Sequence, residues 1–113
     1  MENLYDLVTT EIVDRPIKWS TTIFDLGEEE YDLVTPLSIL IEEYGENDVI
    51  ARFPELEISG IGGTDAEAIQ NLKHAILDFY DELTETDPDT LGKLPQMWLR
   101  ILTKLIHKTQ PNQ

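Results

Sequence analysis

"RFPELEISGIGGTDAEAIQNLKHAIL", residues 52–77, changes its pattern halfway through. A proline-interrupted, extended segment runs into Gly60, Gly62 and Gly63, and a helical pattern follows at once. Thr64 and Glu67 stand in the S/T-x-x-E relation of a capping box, in which each residue satisfies a backbone N–H of the other. From there Ile69, Leu72, Ile76, Phe79 and Leu83 recur at the spacing of one face of an α-helix, with His74 on the opposite face. The stretch therefore reads as strand, tight corner, long helix.

A glycine-rich corner that opens a helix is also where phosphate groups are held, because backbone N–H groups point outward there. The residues argue against that use. No lysine stands in the P-loop position, and Asp65 occupies the place of the third glycine in a dinucleotide fingerprint. Asp65 and Glu67 moreover put two carboxylates in the first helical turn, where they satisfy the helix dipole and repel an anion. The corner is expected to be structural, its glycines adopting positive φ so that the strand can turn into the helix.

Upstream, "IKWSTTIFDL" (17–26) is β-branched and aromatic and reads as a strand, followed by a solvated "GEEE" turn. Residues 1–16 are ambiguous, with Pro16 ending whatever precedes it. "YDLVTPLSILIEEY" (31–44) places Leu33, Thr35, Leu37, Ile39 and Ile41 on one face, with Pro36 marking an edge or bulge. "VIARF" (49–53) returns after "GEND" as the second arm of an antiparallel hairpin, and "LEIS" (56–59) adds a short third strand. Downstream, "TETDPDTLG" (84–92) reads as an acidic, proline-broken linker. A second helix is expected to start near Pro95, with an apolar stripe of Leu94, Trp98, Ile101, Leu102 and Leu105. Lys93, Arg100, Lys104 and Lys108 fall in one narrow sector of its wheel, and "TQPNQ" is expected to fray. The fold class is α+β: a small antiparallel sheet of three to four strands, one long helix on a face, and a C-terminal amphipathic helix.

The 113 residues fit one domain, and 41% hydrophobic content is enough for a core. Absence of cysteine removes disulfides and thiolate metal sites. The acidic N-terminus lacks the apolar run of a signal peptide, and no stretch has the length of a membrane span. A cytoplasmic location, away from membranes, is the default expectation. The formal charge of −15 is unevenly spread. Residues 1–92 hold all 23 acids and only Arg15, Lys18, Arg52 and Lys73 as bases, a formal −19; residues 93–113 hold Lys93, Arg100, Lys104 and Lys108 and no acid, +4. Such a body repels polyphosphate and speeds encounter with a basic protein. An acidic surface also serves solubility alone. The C-terminal helix has three readings: it folds onto its own acidic body, it packs as an arm on another subunit through Trp98, Arg100, Ile101, Lys104 and Leu105, or it touches RNA through its basic edge, which the acidic remainder opposes.

Catalytic chemistry has little to stand on. His74 and His107 lie far apart without the partners of an H-E-x-x-H site. Glu42, Glu43, Glu46 and Asp48 lack calcium-loop spacing and read as a solvated hairpin tip. No pair of carboxylates is singled out for acid–base work. No catalytic residue, metal ligand or cofactor site is therefore assigned.

With strands, corner and helix in place, residues 37–83 resemble the HicB-like antitoxin family. "LSILIEEYGENDVIARFPEL" is similar to its opening hairpin, ending in Phe53, Pro54, Glu55 and Leu56. Gly62, Thr64, Glu67, Ala68, Asn71, Lys73, Ala75 and Ile76 match the family's glycine, threonine and helix positions. The family's usual Pro-Gly after Pro-Glu-Leu is replaced here by Glu57 and Ile58. The resemblance implies a three-stranded antiparallel sheet with a helix on its face, and binding that inhibits a small basic HicA-type ribonuclease. It divides the chain into an α+β domain with an N-terminal extension over 1–86, and a linker, helix and tail over 87–113. Family members commonly carry a further DNA-binding domain, whereas one basic amphipathic helix follows here. The expected function is a non-enzymatic, toxin-neutralising interaction. An orphan homo-oligomeric scaffold or binding module with no toxin partner is the alternative, and a small hydrolase of RNase H-like arrangement would need acids clustered on adjacent strand ends. A dimer or larger assembly is expected, since a small sheet has edges to cover.

Overall fold

Residues 16–109 are described by the structure, a computed structural model. The expectations for residues 1–15 and for the last four residues of the tail lie outside that range. Eight regular elements follow in order: β1 (Ile17–Ile23), β2 (Tyr31–Leu33), β3 (Leu37–Glu43), β4 (Val49–Phe53), β5 (Ile58–Gly62), α1 (Asp65–Glu85), α2 (Lys93–Leu105) and β6 (Ile106–Lys108). Single 3₁₀ turns stand at Pro54–Leu56 and Pro88–Thr90. The class is α+β, as the residue pattern predicts.

Period-2 alternation decides which face is buried. Leu37, Ile39 and Ile41 of β3 and Val49, Ala51 and Phe53 of β4 are all buried on one face. The strands form an antiparallel sheet in the order β1-β3-β4-β5. α1 lies over β4 and β5 and inserts Ala68, Leu72 and Ile76, each fully buried. The β3–β4 turn takes its tight form from Gly45 and Asn47, both at positive φ, and Tyr44 N donates to Asp48 O at 2.8 Å.

Pro36 interrupts the 31–44 run more completely than an edge or bulge would. β2 ends at Leu33, β3 starts at Leu37, and Thr35 is exposed between them. The freed β2 pairs antiparallel with β6 in a separate two-stranded sheet that puts Tyr31 opposite Lys108. Val34 N donating to Leu105 O (2.8 Å) and Thr109 N donating to Glu30 O (2.7 Å) extend that ladder at both ends. α2 packs on α1 of its own chain, with Leu102 fully buried and the Phe79 and Trp98 rings edge-on at 5.3 Å. The helix stops at Leu105, because β-branched Ile106 and its neighbours are drawn into the ladder with β2. Lys108 is therefore not on the helical basic sector but on a strand.

The glycine corner differs from its expectation in an instructive way. β5 runs on through Gly60 to Gly62, and among the glycines only Gly27 and Gly45 have positive φ. Gly60 and Gly62 are extended residues on the inner face of the strand. A Cβ on Gly62 would sit 2.7 Å from Ala68 N; one on Gly60 would sit 2.6 Å from Ala68 O and nearer still to Leu72 N. The glycines let a helix backbone rest directly on a strand backbone, rather than letting the chain turn.

The cap is also shifted. Glu67 N donates to Thr64 Oγ1 at 3.1 Å, as a capping box requires, but the Glu67 carboxylate accepts from Gly63 N at 2.5 Å, one residue before the expected Thr64. Thr64 thus closes the N–H of Glu67 in the first turn of α1, and Glu67 closes the N–H of Gly63 just ahead of it.

Candidate functional site

Beside α1, the loop before β2 and the start of β2 enclose a cavity of about 260 Å³ lined by Glu28, Glu30, Tyr31, His74, Leu77, Asp78 and Asp81. His74, Asp78 and Asp81 reach it because i, i+4 and i+7 lie on one helix face. Tyr31 reaches it because β2 is held against the end of α2 by β6. The buried Tyr31 hydroxyl donates to both Asp81 carboxylate oxygens at 2.9 Å, and its ring meets Tyr80 edge-on. Burial, and then the Asp81 carboxylate that holds its proton, push the Tyr31 phenol above its ordinary range. Lys108 caps the arrangement, with Nζ 3.8 Å from Asp81 Oδ1 and 5.2 Å above the Tyr31 ring.

Asp81 is thus engaged. Glu28, Glu30 and Asp78 make no ion pair among the described residues and stand exposed at the rim. The groove offers these exposed carboxylate acceptors beside a floor of Tyr31 and Leu77, which suits a guanidinium or ammonium group on a protein side chain. His74 lies at the same rim, with Nε2 3.1 Å from Gln70 Nε2. Among the described residues no three His, Asp or Glu side chains gather as a metal site.

Two further clusters bring together residues distant in sequence. On the outer sheet face, Glu42 is 5% exposed, accepts from Tyr44 Oη at 2.6 Å and pairs with Arg52 Nε at 3.1 Å. The Tyr44 hydroxyl, aided by Arg52 and opposed by burial, holds the Glu42 carboxyl below its ordinary range. Glu42 is therefore not part of a solvated hairpin tip, as its spacing had implied. It lies back on β3, where a pleated face and two partners enclose it. The second cluster joins Glu43, which accepts from Trp19 Nε1 at 2.9 Å, to Asp65, whose carboxyl is raised by burial and then by the Glu43 carboxylate.

The residues that carry the family resemblance have structural positions. Phe53, Leu56, Ala68 and Ile76 are core, Ala75 is half-buried, and Pro54 starts the 3₁₀ turn with Glu55 exposed beside it. Gly62 and Thr64 form the seam and the cap, with Glu67 closing Gly63. Asn71 Nδ2 donates to Ile61 O at 2.7 Å, and Lys73 pairs with Asp25 at 3.1 Å. On α2, Trp98, Ile101 and Leu105 are half-buried on the chain's own body, while Arg100 and Lys104 are exposed. These residues do not converge on one site. The groove does, and only its His74-Asp78-Asp81 spacing was visible in the sequence; Tyr31 is 50 residues from Asp81. No helix among the described residues is long and apolar enough to cross a membrane. No protein-family model, curated protein or solved structure matches this chain.

Proposed function

We propose that this chain is a HicB-like, non-enzymatic interaction protein that neutralises a small basic HicA-type ribonuclease by protein–protein contact in the cytoplasm. The observation that carries the reading is the groove: Glu28, Glu30 and Asp78 present carboxylates around a concave floor, on a chain of formal charge −15. A cationic side chain entering it replaces water with charge-assisted hydrogen bonds, and the surrounding field speeds encounter. The α+β frame is of the kind that the resemblance over residues 37–83 implies. A nucleic-acid partner fits less well, because the exposed bases of α2 are outweighed by the −19 of residues 1–92.

The test is capture of partners from the native host with the tagged chain, followed by mass spectrometry. A small basic protein is expected, retained at low salt, with affinity falling about tenfold or more in high salt. A Glu30→Lys, Asp78→Lys double variant is expected to keep its circular dichroism spectrum and to lose the partner. Recovery of the chain alone, or a partner indifferent to both changes, overturns the reading.

A further inference from the structure

The two borders of the four-stranded sheet are β1 and β5. β5 is closed: its backbone is overlaid by α1 at Gly60 and Gly62, and Asn71 occupies the Ile61 carbonyl. β1 pairs with β3 on one side and with no strand on the other, among the described residues. It also lacks the usual guards of an edge. It is seven residues long and contains no proline, and its one charge, Lys18, stands opposite Glu42 of its own sheet. Beyond the cover of α1 it leaves Ile17 at 66% and Trp19 at 36% exposure on the inner face, and Phe24 follows at 71%.

We infer that β1 pairs antiparallel with β1 of a second copy, about a two-fold axis through Ser20, joining two sheets into one. Side-chain parity restricts the register, because inner-face residues must meet inner-face residues. Centring on Ser20 pairs all of Ile17–Ile23: Ile17 opposes Ile23, Trp19 opposes the smaller Thr21, and Lys18 opposes Thr22. Each indole then lies over the junction between the sheets, and both α1 helices fall on the same side. The charge distribution permits this contact. Residues 15–24 contain Arg15 and Lys18 and no acid, so two bodies of −15 meet there without opposed carboxylates. The inference does not use the acidic groove and stands or falls separately from it.

The chain contains no cysteine, which makes the register readable by cross-linking. Ser20 and Thr22 are both exposed. Across the proposed axis two Ser20→Cys side chains are directly opposite, within disulfide reach, whereas two Thr22→Cys side chains are about 14 Å apart along the strands. Under mild oxidation S20C is expected to form a linked dimer nearly completely while T22C stays unlinked, both with native circular dichroism. Unmodified protein is expected to sediment as a dimer at about 100 µM, and Trp19→Glu to shift it at least tenfold toward monomer. A monomer at that concentration overturns the inference. So does equal cross-linking of the two variants, or a dimer broken by Met97→Glu on α2 and not by Trp19→Glu.

Discussion

At β5 the sheet ends under a helix whose backbone touches the strand, while at β1 it ends on an uncovered ladder with an indole beside it. Both borders belong to the same four strands, and the difference lies in side chains that are absent. Gly60 and Gly62 remove two Cβ atoms, α1 descends into the space, and Asn71 comes within reach of Ile61 O. β1 carries Ile17, Trp19, Thr21 and Ile23 on the corresponding face, and α1 does not extend over it. Close approach of a helix seals an edge; bulk on the strand keeps it open.

Filling the seam is the most severe way to break this contrast. Gly60→Ala places a methyl group against Leu72 N, Ala68 O and Asn71 C, all backbone atoms that cannot rotate away. The cost is expected to be about 3 kcal/mol or more, at the upper end of overpacking, and the measurement is urea unfolding. Gly63→Ala, a few residues along the same corner, meets the flexible Glu67 carboxylate at 3.4 Å and Asn47 only in ordinary contact at 3.9 Å, and should cost less than about 1 kcal/mol. Similar losses at the two positions would show that the corner needs glycine for its backbone and not for its clearance.

Unfastening the seam is milder. Asn71→Ala frees Ile61 O on an exposed edge, where water replaces the amide, and a loss of about 1 kcal/mol is expected. Thr64→Ala removes the hydroxyl that accepts from Glu67 N and should cost about the same. Thermal unfolding of each single variant and of the pair checks both. The two sites act on opposite ends of one junction, so a pair loss well above the sum would show that the cap and the edge clasp form one unit.

Acid probes the outer face between the two borders. The Glu42 carboxyl is held below its ordinary value by Tyr44 and Arg52, so the folded state binds its proton less readily than the unfolded chain. The stabilisation is complete above the unfolded value of about 4.3 and is lost as pH falls through the lower folded value. Glu42→Gln should flatten the pH dependence of stability in that acid window and leave the dependence near neutrality unchanged. An unaltered acid slope would place the linkage elsewhere among the carboxylates.

How much of this was legible follows from what each feature depends on. Strand and helix identities came from periodicity, a local property, and the hairpin, β4, α1 and the class could all be read. The Thr64 cap was visible, but not the one-residue shift of Glu67, which depends on how the strand enters the helix. The role of Gly60 and Gly62 was misread because a glycine needed for clearance and one needed for positive φ look identical in sequence. Separating them requires knowing that α1 folds back over β5. β6 was read as the end of a helix because Ile106, His107 and Lys108 continue the amphipathic pattern, and only the pairing with β2 overrides it. The groove depends on that same pairing, and so do Lys108 and Tyr31 at Asp81. Its members come from three elements, and only His74, Asp78 and Asp81 share a spacing that a linear reading could collect.

The β1 border gives the smallest expected change in stability and the clearest separation of folding from assembly. Ile17 is 66% exposed on the same strand and face as Trp19, so Ile17→Ser removes little burial from the monomer. The monomer should lose less than about 1 kcal/mol, the scale of a surface change, measured by denaturation in dilute solution where association is negligible. At high concentration the same variant should unfold at a lower temperature than the parent, because a species that binds only the folded state stabilises it by mass action. The gap between variant and parent should therefore widen as concentration rises. A gap that stays constant means that Ile17 serves its own fold, and that the open edge of β1 is a boundary without a partner.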